Sequence, residues 1–225
     1  MVTVSVVVLA LNRADLTLQF LNRFWRLYSA RPEVEIVVVD NGSTDSTPGV
    51  LVTWQGAMRE RLVAIRNLTN QGFGPANNQG AKAATGDVLI FLNNDVDLQG
   101  DFIAPICRAL EQEPGALVGA QLLDFDTGWN KFGGVLVPYL AGWCVACTRA
   151  TWDALGGFDE RFVPYDYEDV DLSHTARSKG RRLIGLALPV RHISGQTISR
   201  MAGERRTITL RNQTLFMNKW GLHAQ

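Results

Sequence analysis

The chain carries no excess of charge. Its 22 lysines and arginines balance 22 aspartates and glutamates. No net field therefore draws nucleic acid or an anionic membrane to it. It has no apolar run near the roughly 20 residues that a membrane span needs. The apolar start, Val2 to Leu11, lacks a basic leader and a small-residue cleavage site, so it reads as a first strand and not a signal peptide. Cysteine is scarce, and three is an odd number. Reduced thiols in a cytosolic protein are the expectation. Cys144 and Cys147 form a lone C-x-x-C with no second pair for zinc, and core packing is favoured over a redox role. The fingerprint G-x-G-x-x-G is missing after the first strand, which disfavours a dinucleotide-binding Rossmann domain. Repeats and low-complexity tracts are also absent.

What is present centres on Asp87 to Asp97, DVLIFLNNDVD. Val88 to Leu92 is an unbroken apolar run, the signature of a strand buried on both faces of a parallel sheet. It ends in Asn93, Asn94, Asp95 and Asp97. Four polar side chains at the end of a buried strand are costly unless something binds them. Asn and Asp are also ordinary turn residues. A carboxylate and amide cluster at that edge of an open α/β sheet suits a hard divalent cation.

The rest alternates in the same way. Strands are expected at Thr3 to Leu9, Val34 to Val39 and Arg61 to Ile65. Helices are expected from Arg13 to Tyr28 with Asn12 as cap, from Pro48, and from Pro75 to Thr85. This predicts a parallel, doubly wound first half, with Asp40, Asn70 and Asp95 converging at one sheet edge. The second half is less regular. Helices are expected at Phe102 to Glu111, Ala150 to Leu155, Glu168 to Ser178 and Gly203 to Trp220. Strands are expected at Ala116 to Leu122, Gly142 to Thr148 and Leu183 to Val190, with a loop or hairpin at Asp124 to Gly134. With 46% hydrophobic residues, one α/β domain with a full core is predicted.

Glu168, Asp169 and Asp171 open a helix, where acids meet a favourable dipole. The dipole explains acids generally but not three in four residues, so Asp169 is expected to be functional and Asp171 structural. Trp143 and Tyr165 read as core aromatics, with an apolar wall for an acceptor sugar ring as the alternative. Arg205, Arg206 and Arg211 read as a solvated helix face, with an anionic lipid-linked acceptor as the alternative.

Six segments, VSVVVLALNR, VVVDNGSTDST, NQGFGPANNQGAKAATGD, FLNNDVD, GGFDERF and YEDVDLSHTARSKG, occur in the order seen in family 2 glycosyltransferases of the GT-A fold. The chain resembles that family from Val4 to about Gly221, and within it the bacterial rhamnosyltransferase-like branch. The resemblance implies a nucleotide-binding half over residues 1 to about 97 and an acceptor-binding half over about 98 to 225. The resemblance implies that Ala10, Asn12 and Asp40 line the nucleoside pocket. It puts Asn70, Gly72, Asn77 and Asn78 near the base and diphosphate, with Asn93 and Asn94 completing the donor site. Asp95 aligns with the last carboxylate of the family's D-x-D and implies Mg²⁺ or Mn²⁺ binding. Asn93 stands where many members carry the first aspartate. His192 resembles a late histidine that completes the metal shell, and Asp97 is a further candidate ligand. Asp169 aligns with the general base, and Glu168 beside it is assigned to the acceptor.

The implied activity is metal-dependent, inverting transfer of a sugar from a UDP- or dTDP-type donor to an acceptor hydroxyl. The acceptor would be a sugar or lipid-linked glycan of cell-surface polysaccharide or glycolipid synthesis. The setting would be cytoplasmic, with peripheral contact at the inner membrane face, and no nucleic acid partner. The chemistry needs the same parts independently. Leaving diphosphate develops negative charge that a divalent ion offsets, and the attacking hydroxyl needs a carboxylate base. A sugar nucleotidyltransferase, a catalytically inactive nucleotide-sugar binding module and an NAD-linked oxidoreductase are the competing classes.

Overall fold

A computed structural model describes residues 2–123, 131–132, 135–193 and 202–222. The first half runs β1 (Val4–Ala10), α1 (Ala14–Tyr28), β2 (Val34–Asp40), α2 (Thr47–Met58), β3 (Leu62–Arg66), α3 (Phe73–Ala83) and β4 (Val88–Asn93). The second half runs β5 (Val96–Leu98), α4 (Ile103–Gln112), β6 (Leu117–Gly119), β7 (Leu122–Leu123), β8 (Lys131–Phe132), β9 (Val135–Leu136) and β10 (Tyr139–Leu140). It continues with β11 (Cys144–Thr148), α5 (Arg149–Leu155), α6 (Glu168–Ser178), β12 (Leu183–Gly185), β13 (Val190–His192) and α7 (Ala202–Trp220).

Seven strands form one sheet in the order β12-β6-β11-β4-β1-β2-β3. Strands β1 to β4 are parallel to their neighbours among themselves, and β12 is parallel to β6. Strand β11 runs antiparallel to both β4 and β6. The register puts Ala10 beside Asp40, and Leu9 beside Asn93. The polar residues that end β2 and β4 therefore share one edge.

Both faces of the sheet are covered, which is why its strands read as continuous apolar runs. Val4, Val6, Val8, Ile36, Val38, Ile90 and Leu92 point into a core closed by Phe20, Phe24 and Tyr28 of α1, Leu51 of α2, and Ile103 and Ile106 of α4. The alternate residues Val7, Val37, Leu89 and Phe91 meet Ala81 of α3, Trp152 of α5, and Leu172 and Ala176 of α6. The two-residue period of a strand sorts the side chains between these cores. It also sorts the cysteines: Cys144 lies in the first core and Cys147 in the second. Burial pushes both thiols up to about 12. Two buried thiols on opposite faces support neither a redox pair nor a shared zinc.

Several local expectations change. Asn12 does not cap α1: its Oδ1 instead accepts from the Thr44 N–H at 2.9 Å. Asp45 does that work from the loop after β2. Its Oδ2 accepts from the N–H of Ala14 and its Oδ1 from the N–H and hydroxyl of Thr47, so one carboxylate holds the starts of α1 and α2. The expected strands at Ala116 to Leu122 and Leu183 to Val190 are each broken in two, giving β6 and β7, then β12 and β13. Short β5 was not expected, and it pairs antiparallel with β13. Of the expected loop or hairpin at Asp124 to Gly134, residues 124–130 and 133–134 lie outside the described residues, while β8 and β9 pair antiparallel.

Candidate active site

The loops that follow β1, β2, β3 and β4 enclose a cavity of about 100 Å³. Leu9, Leu11 and Phe73 give it apolar walls, and Asn41, Asn70, Asn93, Asn94 and Asp95 line its polar side. Asn41 is the hub of the floor. Its Nδ2 donates to Asn70 Oδ1 at 2.9 Å and to the Gly72 carbonyl at 3.1 Å. Its Oδ1 accepts from Asn67 Nδ2 and from the Gln71 N–H. Gly72 sits at φ 94°, and a Cβ there would stand 2.8 Å from a Val163 methyl. The loop after β3 thus closes against the 163–165 segment through a residue that must be glycine.

The residues expected in the nucleoside pocket lie around this floor rather than on it. Ala10 is buried at the end of β1 and does not line the cavity. Asn12 and Asp40 shape the 40–45 loop: Asp40 Oδ1 accepts from the Ser43 N–H at 2.9 Å, and Ser43 Oγ accepts from the Asn12 N–H at 2.7 Å. Asp40 Oδ2 is buried with no hydrogen bond, and the nearest cation, Arg66 Nε, is 3.9 Å away. That contact is too long for a hydrogen bond. Asn77 donates to the Phe73 carbonyl within α3. Asn78 bonds the Phe158 backbone in both directions and Glu160 Oε1, so it braces the 157–160 turn. Neither lines the cavity. Asn94 lines it, while its Nδ2 donates to Thr17 on α1.

Asp95 is buried, and its Oδ1 lies 3.2 Å from His192 Nε2. The pairing of β13 with β5 brings the histidine there, opposite Val96. The His192 ring lies parallel to Trp143, with centroids 4.9 Å apart. Trp143 Nε1 donates to Gln121. One face of Trp143 is therefore occupied, which narrows its expected use as an acceptor platform. Tyr165, expected beside it, lines the amide-floored cavity instead. Asp97 forms ion pairs with Arg23 at 2.5 Å and Arg191 at 3.1 Å and does not line the cavity.

Among the described residues, no group of three or more His, Cys, Asp and Glu is placed to hold a metal. Asp95 and His192 supply two donors. A carboxylate oxygen and an imidazole nitrogen fit Mg²⁺ or Mn²⁺ when phosphate oxygens of a bound diphosphate complete the shell.

A second cavity, about 260 Å³, is lined by Tyr139, Asp166, Tyr167, Glu168, Asp169, Val170 and Arg205. Asp169 Oδ2 accepts from the Gly142 N–H at 2.9 Å, and Oδ1 accepts from the Val170 N–H at 2.8 Å. Burial outweighs those bonds and lifts its pKa to about 6. Glu168 is buried, with Oε2 unpartnered, and burial with Asp169 beside it raises its pKa well above the usual range. Asp171, by contrast, accepts from Lys219 Nζ at 2.7 Å and Trp220 Nε1 at 2.8 Å, a structural role. Arg205 stands 3.6 Å from Asp166, so it is part of the cavity wall and not only a solvated residue.

Asp95 and Asp169 do not share one cavity. The two cavities adjoin along the chain at Tyr165 and Asp166. They also adjoin through the turn before β11, where the Gly142 N–H bonds Asp169 and the Trp143 carbonyl accepts from the Asn93 N–H. Sequence reasoning missed Asn41 and the helix α7 contacts. Asn41 had the same signal as Asp40, a polar residue ending a buried strand.

Similar architectures appear among solved structures. The mannosyltransferase PcManGT from Pyrobaculum calidifontis, in complex with GDP-Man and Mn²⁺, aligns with TM-score 0.75 at 20% identity over 96% of this chain and 64% of its own. GalNAc-T7 with UDP, GalNAc and Mn²⁺ aligns with TM-score 0.78 at 17% identity over 97% of this chain and 48% of its own. The sheet order, with antiparallel β11 set among parallel strands, is that of the GT-A nucleotide-diphospho-sugar transferase fold. The profile of glycosyl transferase family 2 matches residues 5–183, and the chain belongs to that family. The O-antigen biosynthesis protein RfbC of Myxococcus xanthus is 29% identical over 76% of this chain. A PGL/p-HBAD biosynthesis glycosyltransferase of Mycobacterium bovis is 36% identical over 45% of it. The chain spans 16% and 40% of those two relatives' lengths. Nothing in these matches singles out the rhamnosyltransferase branch.

Proposed function

We propose that the chain transfers a glycosyl group from a nucleoside diphosphate-sugar to an acceptor hydroxyl, with inversion at the anomeric carbon. The observation that carries this is Asp169: a carboxylate held by two backbone N–H groups and lifted to about 6, in a cavity that adjoins the one lined by Asp95. A base of that pKa is largely ionised at neutral pH and takes up a proton readily.

The nucleoside diphosphate lies over the Asn41 floor, where apolar walls and amides suit a heterocycle and a ribose. Asp40 Oδ2, buried without a hydrogen bond, accepts from the base. Asp169 accepts the proton of the acceptor hydroxyl as its oxygen bonds to the anomeric carbon. The bond from that carbon to the diphosphate oxygen breaks, and its electron pair leaves with the diphosphate. One base facing a separate leaving group gives a single displacement. Asp95 and His192 would hold the divalent ion, which when bound offsets the charge on the leaving diphosphate.

GDP-Man in one structural neighbour and UDP in the other support a nucleoside diphosphate donor, and Mn²⁺ in both supports the ion. The relatives' roles favour cell-surface polysaccharide or glycolipid as the product. We place the reaction on the cytoplasmic side: all three cysteines are free, which fits a reducing compartment. No helix among the described residues is long and apolar enough to cross a membrane. The test is thermal stabilisation and hydrolysis with a panel of UDP-, dTDP- and GDP-sugars, with and without Mn²⁺. A ligand that binds the folded and not the unfolded chain raises the melting temperature. A donor that stabilises the protein only with Mn²⁺ supports the reading, and silence across the panel ends it.

A further inference from the structure

One stripe of helix α7 that faces the rest of the protein carries Arg205, Thr209, Asn212, Phe216 and Trp220, spaced four, three, four and four. Its second half packs conventionally. Phe216 is buried against Tyr167 and His174, and Trp220 stands edge-on to His174. Its first half is polar where it is buried. Asn212 is fully buried, and its Nδ2 donates to the Tyr165 carbonyl at 2.8 Å and the Asp166 carbonyl at 2.9 Å. Arg211 donates to Asn212 Oδ1 from Nε at 3.1 Å and Nη2 at 2.9 Å, which fixes the amide's orientation. The Thr209 hydroxyl lies 2.6 Å from Asp166 Oδ2.

The segment held this way joins the two cavities. Tyr165 lines the donor side, and Asp166 to Val170 line the acid side. Asp166 and Tyr167 are both left-handed, at φ 71° and 78°. Two successive non-glycine residues keep that conformation only where the surroundings over-determine it. Tyr167 leads directly into α6, and no side chain caps that helix. The direction in which Glu168 and Asp169 leave the turn is therefore set by what holds the carbonyls of 165 and 166.

We propose that Asn212 is a positioning residue of the transfer reaction. Through those two carbonyls it holds the turn that places Asp169 on the Gly142 N–H and aligns the acid cavity with the donor cavity. This rests on the reading of Asp169 as the base. Without the clamp, the left-handed pair relaxes and Asp169 leaves the Gly142 N–H. The donor floor, built on Asn41, stays intact. The loss therefore falls on turnover and not on nucleotide binding.

The test uses the full chain. Turnover is read as nucleoside diphosphate released from UDP- and dTDP-sugars, and binding as calorimetric affinity for UDP and dTDP with Mn²⁺. Asn212→Ala should lower kcat at least tenfold and leave nucleotide affinity within twofold. Its acid limb should move to higher pH, because the Gly142 bond favours the ionised form. Thr209→Val, which keeps side-chain volume, should fold and lower kcat about threefold with the same displacement. It decides the matter if Asn212→Ala does not fold. Lys219→Met loosens α7 elsewhere, at Asp159 and Asp171, and should lower the melting temperature with kcat kept. Wild-type kcat and pH profile in Thr209→Val overturn the inference. So does loss of kcat in all three variants in step with their melting temperatures. If Asp169→Asn itself turns over normally, the base reading fails and this inference falls with it. If Asp169→Asn is inactive while Asn212→Ala is not, only this inference fails.

Discussion

The donor floor and the acid cavity lie side by side, yet their polar atoms are satisfied to different degrees. On the floor, Asn41 uses both donor hydrogens and both acceptor positions within the protein. In the acid cavity, Glu168 Oε2 is buried with no partner, and the Glu168 and Asp169 carboxyls are both lifted by burial. A satisfied neutral network rigidifies a surface at little expense. Unpaired buried carboxyls oppose folding and are retained where chemistry needs them. The floor is thus built to hold a shape, and in the proposed reaction the acid cavity exchanges a proton.

Replacing each side's central residue separates these roles most sharply. Asp169→Asn keeps the side-chain shape and removes the base. Its kcat should fall by about 10²- to 10⁴-fold, the usual worth of such a group, with nucleotide affinity unchanged by calorimetry. Asn41→Leu should do the reverse. It leaves Asn67 Nδ2 and the Gln71 N–H without their partner and the Gly72 carbonyl with only the Ala76 N–H, at roughly 1–3 kcal/mol for each buried group left unsatisfied. A total loss of about 2–4 kcal/mol in a urea titration is expected, together with lost nucleotide binding. An Asn41→Leu protein as stable as the wild type would mean that the floor is not the rigid half.

The next contrast concerns pH. A carboxyl whose pKa is raised on folding opposes folding once it ionises. For Glu168 and Asp169 that opposition is absent below the unfolded values near 4. It grows as pH rises towards the folded values, which for Asp169 is about 6. Glu168→Gln should therefore melt higher than the wild type at pH 8 and equal to it at pH 4. kcat of the wild type should rise with pH through about 6 as Asp169 ionises. Equal melting of the two proteins at both pH values would show Glu168 to be as well satisfied as the floor.

How much of this was readable depended on whether the information is local. The strands were, because Val34 to Val39 and Val88 to Leu92 are buried on both faces and leave no polar alternation. So were the polar residues that end them, since nothing inside a covered sheet solvates an aspartate. The second half was harder. Strands β6, β7, β12 and β13 have only two or three residues each, too few for a periodic signal. Helix α7 was found, and Arg205, Arg206 and Arg211 are exposed as read, but its docked face was not identified. That face carries Thr209 and Asn212, which resemble solvent residues until their partners at Asp166 and Tyr165 are in view. The separation of Asp95 and Asp169 into adjoining cavities depends on the path of residues 163–167, which no pattern in the sequence records.

The smallest effect lies at Asp45, and it tests whether the donor side is rigid at its rim as well as its floor. Its carboxylate bonds the first N–H of α1 and the first N–H of α2, the positions left without partners inside a helix. Asp45→Ala removes both caps at once. A single cap is worth about 0.5–2 kcal/mol, but Asp45 is exposed and water replaces much of what is lost. About 1 kcal/mol in chemical denaturation is expected. The loop from Asp40 to Thr47 also carries Ser43 and Thr44, which hold Asn12. Loosening it should weaken nucleotide binding a fewfold without touching kcat, since Asp169 is anchored on the turn before β11 and on α6 and not on this loop. A variant that lost turnover and kept its nucleotide affinity would show the two sides to be one coupled unit.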